Sequence, residues 1–285
     1  FNSNARYVLG ASFSGCMQLA CQCMIRFVRP ICVAPRRLFA TMSTGLEIPK
    51  IIGHRGARAL APENTLAGIR TAQKFNVSWV EFDVALTKDS VPILMHDEDV
   101  KRTTDGSGSV SDLTVEEIRK LDAGVKFSPA FKGEKVPTLR EALELLIKLD
   151  MQANVEIKPA TGKDKETALV TCKEIEEVWP KSRKPLLVSS FSKESLETAR
   201  DSYPNQQRGL LLEKIPEDWE KLFDDLKCAT LHCHWSGLTR KALARAKERG
   251  IPVLCYTVNS RLISNYLSWR GVSSVFTDYP DKLSR

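Results

Sequence analysis

The 285-residue chain is long enough for one large core, and its 42% hydrophobic and 27% charged content is that of a globular protein with no apolar run of transmembrane length. Its net charge of +7 is not a nucleic-acid signal: residues 1–46 hold five arginines (Arg6, Arg26, Arg29, Arg36, Arg37) and no acid, which leaves 37 basic against 35 acidic groups in the rest. The eight cysteines show no paired CxxC spacing, so free thiols in a reducing compartment are expected rather than a disulfide framework.

In chain order, residues 1–46 read as an extension outside the fold. Three readings stand side by side. The acid-free stretch ending in RRLFATM resembles an organellar transit peptide; Arg6, YVLGASF and SGC weakly resemble a lipoprotein signal; and Phe1, with Met42 just before the body, fits upstream sequence translated by mistake. The body, 47–285, is expected in the cytoplasm, or in a mitochondrion or plastid if the extension is genuine.

From residue 50 strand-like runs alternate with helical patterns. The strands are expected at 50–54, 79–86, 91–96, 152–158, 185–190, 208–212, 229–233, 253–258 and 274–277; several are near-continuous Val/Ile/Leu runs, as parallel strands covered on both faces require. Helical spacing recurs at 64–75, 138–149, 164–179, 192–201, 216–226, 238–249 and 260–269. Thr138 with Glu141 is placed to form a capping box, and Gly250 stands where a helix C-cap wants a left-handed residue. This alternation predicts an α/β fold, a TIM (β/α)8 barrel. Nine strands are one too many for it, and the link Thr87–Ser90 is too short for a parallel crossover, leaving a hairpin or a bent strand open. The Gly/Ser/Thr/Asp-rich segment 99–137 reads as a small insertion after the third strand.

Catalytic groups of a barrel gather at the C-terminal strand ends. There stand His54 and Arg55, Glu81 and Asp83, His96 and Asp97, and Glu156 and Lys158, all in the first half of the barrel. Glu81 and Asp83, two apart on a strand, face the same side. Three converging carboxylates need a cation, and oxygen-only ligation selects Mg²⁺ or Ca²⁺ over zinc. Two histidines across a substrate can serve as acid and base. Arg55 and Lys158 beside an acidic centre point to a phosphate ester. His232 and His234 lack a third ligand and read as ordinary strand-end residues.

The motifs HRGARALAPENT, EFDVALTKDSVPILMHD, NVEIKP, SSF, YTVN and TDYP, in this order from about residue 50 to 282, closely resemble the glycerophosphodiester phosphodiesterase family, especially its cytosolic bacterial type. The resemblance implies a TIM barrel, one divalent cation, and hydrolysis of glycerophosphodiesters to sn-glycerol 3-phosphate and an alcohol, within glycerol and phospholipid metabolism. It implies His54 and His96 as the acid/base pair and Glu81, Asp83 and Glu156 as metal ligands. Arg55 and Lys158 would bind phosphate, Glu63 and Asn64 shape the first loop, and Phe191 and Tyr256 line the mouth. Tyr256 stands where many relatives have Trp. The insertion is implied to cap the site. The expected partner is a small molecule, with no nucleic acid. Alternatives are a lysophospholipase D acting on lipids and a catalytically silent phosphoester-binding barrel.

Overall fold

The structure, a computed structural model, describes residues 46–284. The readings made for the N-terminal extension and its cysteines therefore lie outside the described residues, save Leu46.

Eight parallel strands close into a barrel: β1 (Ile51–Gly53), β2 (Trp79–Leu86), β4 (Gln152–Ile157), β5 (Leu187–Ser190), β6 (Gln207–Leu212), β7 (Thr230–His234), β8 (Val253–Tyr256) and β9 (Ser274–Thr277), with β1 hydrogen-bonded to both β2 and β9. The ninth strand, β3 (Pro92–Leu94), runs antiparallel to β2, pairing Val84 with Leu94 and Leu86 with Pro92. This decides the short link in favour of a hairpin, turned through Ser90 at φ 58°.

Helices α1 (Leu66–Lys74), α3 (Leu139–Lys148), α4 (Asp164–Val178), α5 (Lys193–Ser202), α6 (Trp219–Asp225), α7 (Arg240–Glu248) and α8 (Arg261–Arg270) cover the barrel, and α9 (Pro280–Leu283) ends the described chain. The local signals explain their bounds. Thr138 and Glu141 form the reciprocal capping box at α3, and Gly250 adopts φ 67° one residue beyond the C-cap of α7.

Strand periodicity sorts the core into two layers. On β2, Val80, Phe82 and Val84 face out and pack with Leu143, Leu146 and Ile175 of the helices. Inside, Ile52, Trp79, Leu187, Leu254 and Phe276 fill the barrel, with Leu46 and Ile48 packed against them. The opposite end of the same inner faces is left to polar groups. Between β3 and α3 lie two 3-10 turns and α2 (Val115–Lys120), built over a separate cluster of Ile93, Val100, Val110, Ile118 and Val136.

Candidate active site

Alternation on β2 turns Glu81 and Asp83 inward, and the parallel register sets Asp83 directly beside Glu156 of β4. One oxygen from each of Glu81, Asp83 and Glu156 lies within 4.8 Å of the others, and the first two carboxylates are buried. Burial and the neighbouring charges of Asp83 and Glu156 push the Glu81 carboxyl well above its usual range. Burial and Asp83 push Glu156 up to about 8. Oε1 of Glu81 is buried with no hydrogen-bond partner. An orphaned anionic oxygen in a repelling oxygen-only trio is what a hard divalent cation satisfies.

The β1–α1 loop is shaped around this trio. Arg55 and Gly56 adopt left-handed backbone (φ 49° and 85°), and a Cβ on Gly56 would come within 2.6 Å of the Gly68 carbonyl carbon. The turn aims the Arg55 N–H at Glu81 Oε2 (2.9 Å) and brings its Nε to 3.3 Å from Asp83 Oδ2. Asn64 grips Asp83 twice: its Nδ2 donates to Oδ2 at 2.9 Å, and its Oδ1 accepts the Asp83 N–H at 3.2 Å. Lys158 Nζ stands 3.5 Å from Glu156 and 3.9 Å from Asp83. Glu63 accepts from Arg55 and Arg58 rather than facing the cavity, and hydrogen bonds from Arg102 and Arg55 outweigh its burial and hold its carboxyl below the usual range.

His54 and His96 each have a carboxylate on Nδ1. His54 donates to Asp278 Oδ1 at 2.6 Å, while its Nε2 lies 3.9 Å from Glu81. Asp278 is fixed by Asn259, whose Nδ2 donates to Oδ2 (2.7 Å) and whose Oδ1 accepts the Asp278 N–H (2.9 Å). His96 donates to Asp97 Oδ1 at 2.7 Å. Burial is the largest influence on His96 and lowers its pKa, favouring the neutral ring. Arg102, from the insertion, donates to Asp97 Oδ2 (2.5 Å) and to both oxygens of Glu63 (2.9 and 2.7 Å). Arg58 joins Glu63 to Asp278, 3.7 Å away. A chain of alternating charge thus runs from one histidine to the other: His54, Asp278, Arg58, Glu63, Arg102, Asp97, His96.

All the residues singled out from sequence border this region, but the polar set is not confined to the first half of the barrel. Asn259 and Asp278, beyond β8 and at the end of β9, complete it because β9 pairs with β1. TDYP and YTVN were the signals for them, read as motifs without a role for either residue. His232 is not a strand-end residue. It lies within β7 on the inner face, fully buried, its Nε2 bonded to the Thr230 hydroxyl at 2.8 Å, and burial lowers its pKa to about 3. Gly209 makes room for it, since a Cβ there would sit 2.8 Å from the ring. His234 does end its strand, packing edge-on to Tyr256. Phe191 is 52% exposed at the mouth, T-shaped against Tyr256, whose hydroxyl donates to the Leu212 carbonyl. The four described cysteines are free.

A model of the glycerophosphoryl diester phosphodiesterase family matches residues 54–282. The chain is 34% identical over 240 residues to a glycerophosphodiester phosphodiesterase of Caldanaerobacter subterraneus, spanning 82% of this chain and 95% of that one. It is 33% identical to glycerophosphodiester phosphodiesterase 1 of Mus musculus, over 80% of this chain and 77% of the relative. A phosphodiesterase of Oleispira antarctica, solved in complex with its product sn-glycerol-3-phosphate, shares the fold with a TM-score of 0.81 and 36% identity, over 83% of this chain and 95% of that one.

Proposed function

The chain belongs to the glycerophosphoryl diester phosphodiesterase family and is a phosphodiesterase by that membership; from this premise we propose that it hydrolyses glycerophosphodiesters to sn-glycerol 3-phosphate and an alcohol, with one divalent cation and a pair of histidines. The observation that carries the reading is the buried trio of Glu81, Asp83 and Glu156, oxygens within 4.8 Å, standing beside two histidines that each donate Nδ1–H to an aspartate.

Glu81, Asp83 and Glu156 would hold the ion, Mg²⁺ or Ca²⁺ by their chemistry; when bound it supplies Lewis acidity to the phosphate and neutralises the trio. Arg55 and Lys158 contribute fixed positive charge for the non-bridging oxygens. The Nδ1 bonds leave each Nε2 as the working atom. One histidine removes the proton from a hydroxyl of the glycerol arm as that oxygen attacks phosphorus. The other, entering as the imidazolium, gives its Nε2 proton to the departing alcohol oxygen as the P–O bond breaks. Water then opens the cyclic phosphate with the roles reversed, restoring both rings and consuming one water overall. Asp278 and Asp97 hold the tautomers, and Phe191 and Tyr256 wall the glycerol arm. No helix among the described residues is long and apolar enough to cross a membrane.

Hydrolysis of a glycerophosphodiester by His54→Ala and Glu81→Ala tests the site, with wild type assayed after chelation and after return of Mg²⁺ or Ca²⁺. Each variant should lose at least about a hundredfold in kcat. Near-full turnover by either would refute the assignment.

A further inference from the structure

Two cavities meet at Glu156, the outermost member of the carboxylate trio. One, about 330 Å³, lies on the barrel axis and holds His54, Arg55, His232 and Tyr256 in its wall. The other, about 830 Å³, opens sideways between the β2–β3 hairpin, the insertion and the loop after β4. They share His96, Glu156, Lys158 and Phe191, so a phosphate at the trio has one arm directed into each.

Resting on the proposed hydrolysis, we propose that the lateral cleft is the leaving-group subsite and that it takes a polyhydroxylated alcohol. Placement of the arms follows from size. Glycerol is common to every substrate of this reaction and needs only the small axial cavity, closed below by His232 and Phe276. The variable arm takes the larger space, whose volume lies within the about 300–1,000 Å³ that accommodates ligands of drug size. An ethanolamine group would leave most of it to water.

The chemistry of the lining sets the class. Ser109, Ser111 and Thr161 bring hydroxyls to the lining from opposite walls, while the Thr87 hydroxyl is spent on Asp89 Oδ1 (2.6 Å) and the Val91 N–H (3.0 Å). Ser109 donates to the Glu98 carbonyl at 3.4 Å and accepts from Ser111 at 2.9 Å, so both keep lone pairs for a hydroxyl donor, while Thr161 makes no side-chain hydrogen bond among the described residues. The lining sets Lys88, Lys158 and Lys163 against Asp97, Glu98, Glu156 and Glu166, but Lys163 pairs with Glu166 at 2.6 Å, Lys158 with Glu156 at 3.5 Å and Arg102 with Asp97, which leaves Lys88 against Glu98. Neither a cationic nor an anionic headgroup finds a net field. Phe191 is the one aromatic residue in the wall, whereas selection of a quaternary ammonium such as choline relies on an aromatic cage. A neutral alcohol with several hydroxyls matches such a lining by hydrogen bonds alone.

The full chain, with its cation, is assayed on glycerophosphoglycerol, glycerophosphocholine and glycerophosphoethanolamine. Wild type should favour the polyol-headed diester in kcat/KM. Ser111→Trp from the insertion and Ala160→Tyr from the opposite wall each narrow the cleft and should lower the glycerol-to-ethanolamine specificity ratio at least tenfold. Two variants on independent loops guard against misfolding of one. A fall of equal size on all three diesters would place the shared glycerol arm in the cleft and overturn the assignment. Unchanged ratios in both folded variants would overturn it too. Wild type that hydrolyses none of the three would overturn the reading of the reaction itself, and this subsite with it.

Discussion

Asp278→Asn removes one negative charge from behind His54 while keeping the side chain's shape. Asn259 dictates how the new amide sits: its Nδ2 donates to Asp278 Oδ2 at 2.7 Å, so the amide oxygen turns to that donor and the NH₂ faces His54 Nδ1. The ring must then accept at Nδ1 and carry its proton on Nε2, which blocks the step in which Nε2 takes a proton. What is lost is a charge-assisted hydrogen bond of 2.6 Å in a half-buried setting, worth about 1.5–3 kcal/mol. At about 1.4 kcal/mol per factor of ten, kcat/KM should fall about 10- to 150-fold. The assay is release of sn-glycerol 3-phosphate, with thermal melting as a control; the melting temperature should move by no more than about 4 °C. Activity within twofold of wild type in a folded variant would refute the account of His54 as a ring oriented from Nδ1.

Arg102→Gln cuts the bridge between Glu63 and Asp97; with the guanidinium 43% exposed, stability should drop by only about 1 kcal/mol, yet kcat should fall about tenfold because His96 and Arg55 both lose orientation. Arg102→Lys keeps the charge without the fork and should recover only part of the loss, and wild-type kcat in both variants would sink the idea. In the metal-free protein the raised carboxyls of Glu81 and Glu156 make the folded state bind more protons than the unfolded chain between about pH 4.5 and 8, so stability falls as pH rises through that window. Melting temperature measured after chelation should therefore drop by several degrees, about 5–10 °C, from pH 6 to 8.5, and millimolar Mg²⁺ or Ca²⁺ should remove the drop. A flat profile without metal would show that the trio is not electrostatically loaded.

The sequence made the barrel legible where a strand is buried on both faces. WVEFDVAL coincides with β2 residue for residue, because eight apolar-dominated positions leave no other element to form. It made the trio legible for the same reason: acids inside such a strand cannot be solvent-facing, and period two puts both on one side. The hairpin was ambiguous because Val-Pro-Ile-Leu fits a barrel strand as well as an edge. The role of Asp278 was hidden for a different cause. Its partner His54 is 224 residues away, and the contact exists only once β9 closes against β1. Arg102 likewise lies in a segment with no periodicity, and its role follows from where the insertion folds back over Glu63. His232 looked like its neighbour His234, although only the structure shows one facing the closed interior at 0% exposure and the other at the rim.

The central claim is that this site cleaves a glycerophosphodiester on the alcohol side of phosphorus. Phosphorus NMR of a reaction with glycerophosphoethanolamine and a divalent cation tests it most directly. The account predicts sn-glycerol 3-phosphate growing in step with substrate loss, and none when Glu81→Ala replaces wild type. Phosphoethanolamine as the product, or unchanged turnover by Glu81→Ala, would contradict it.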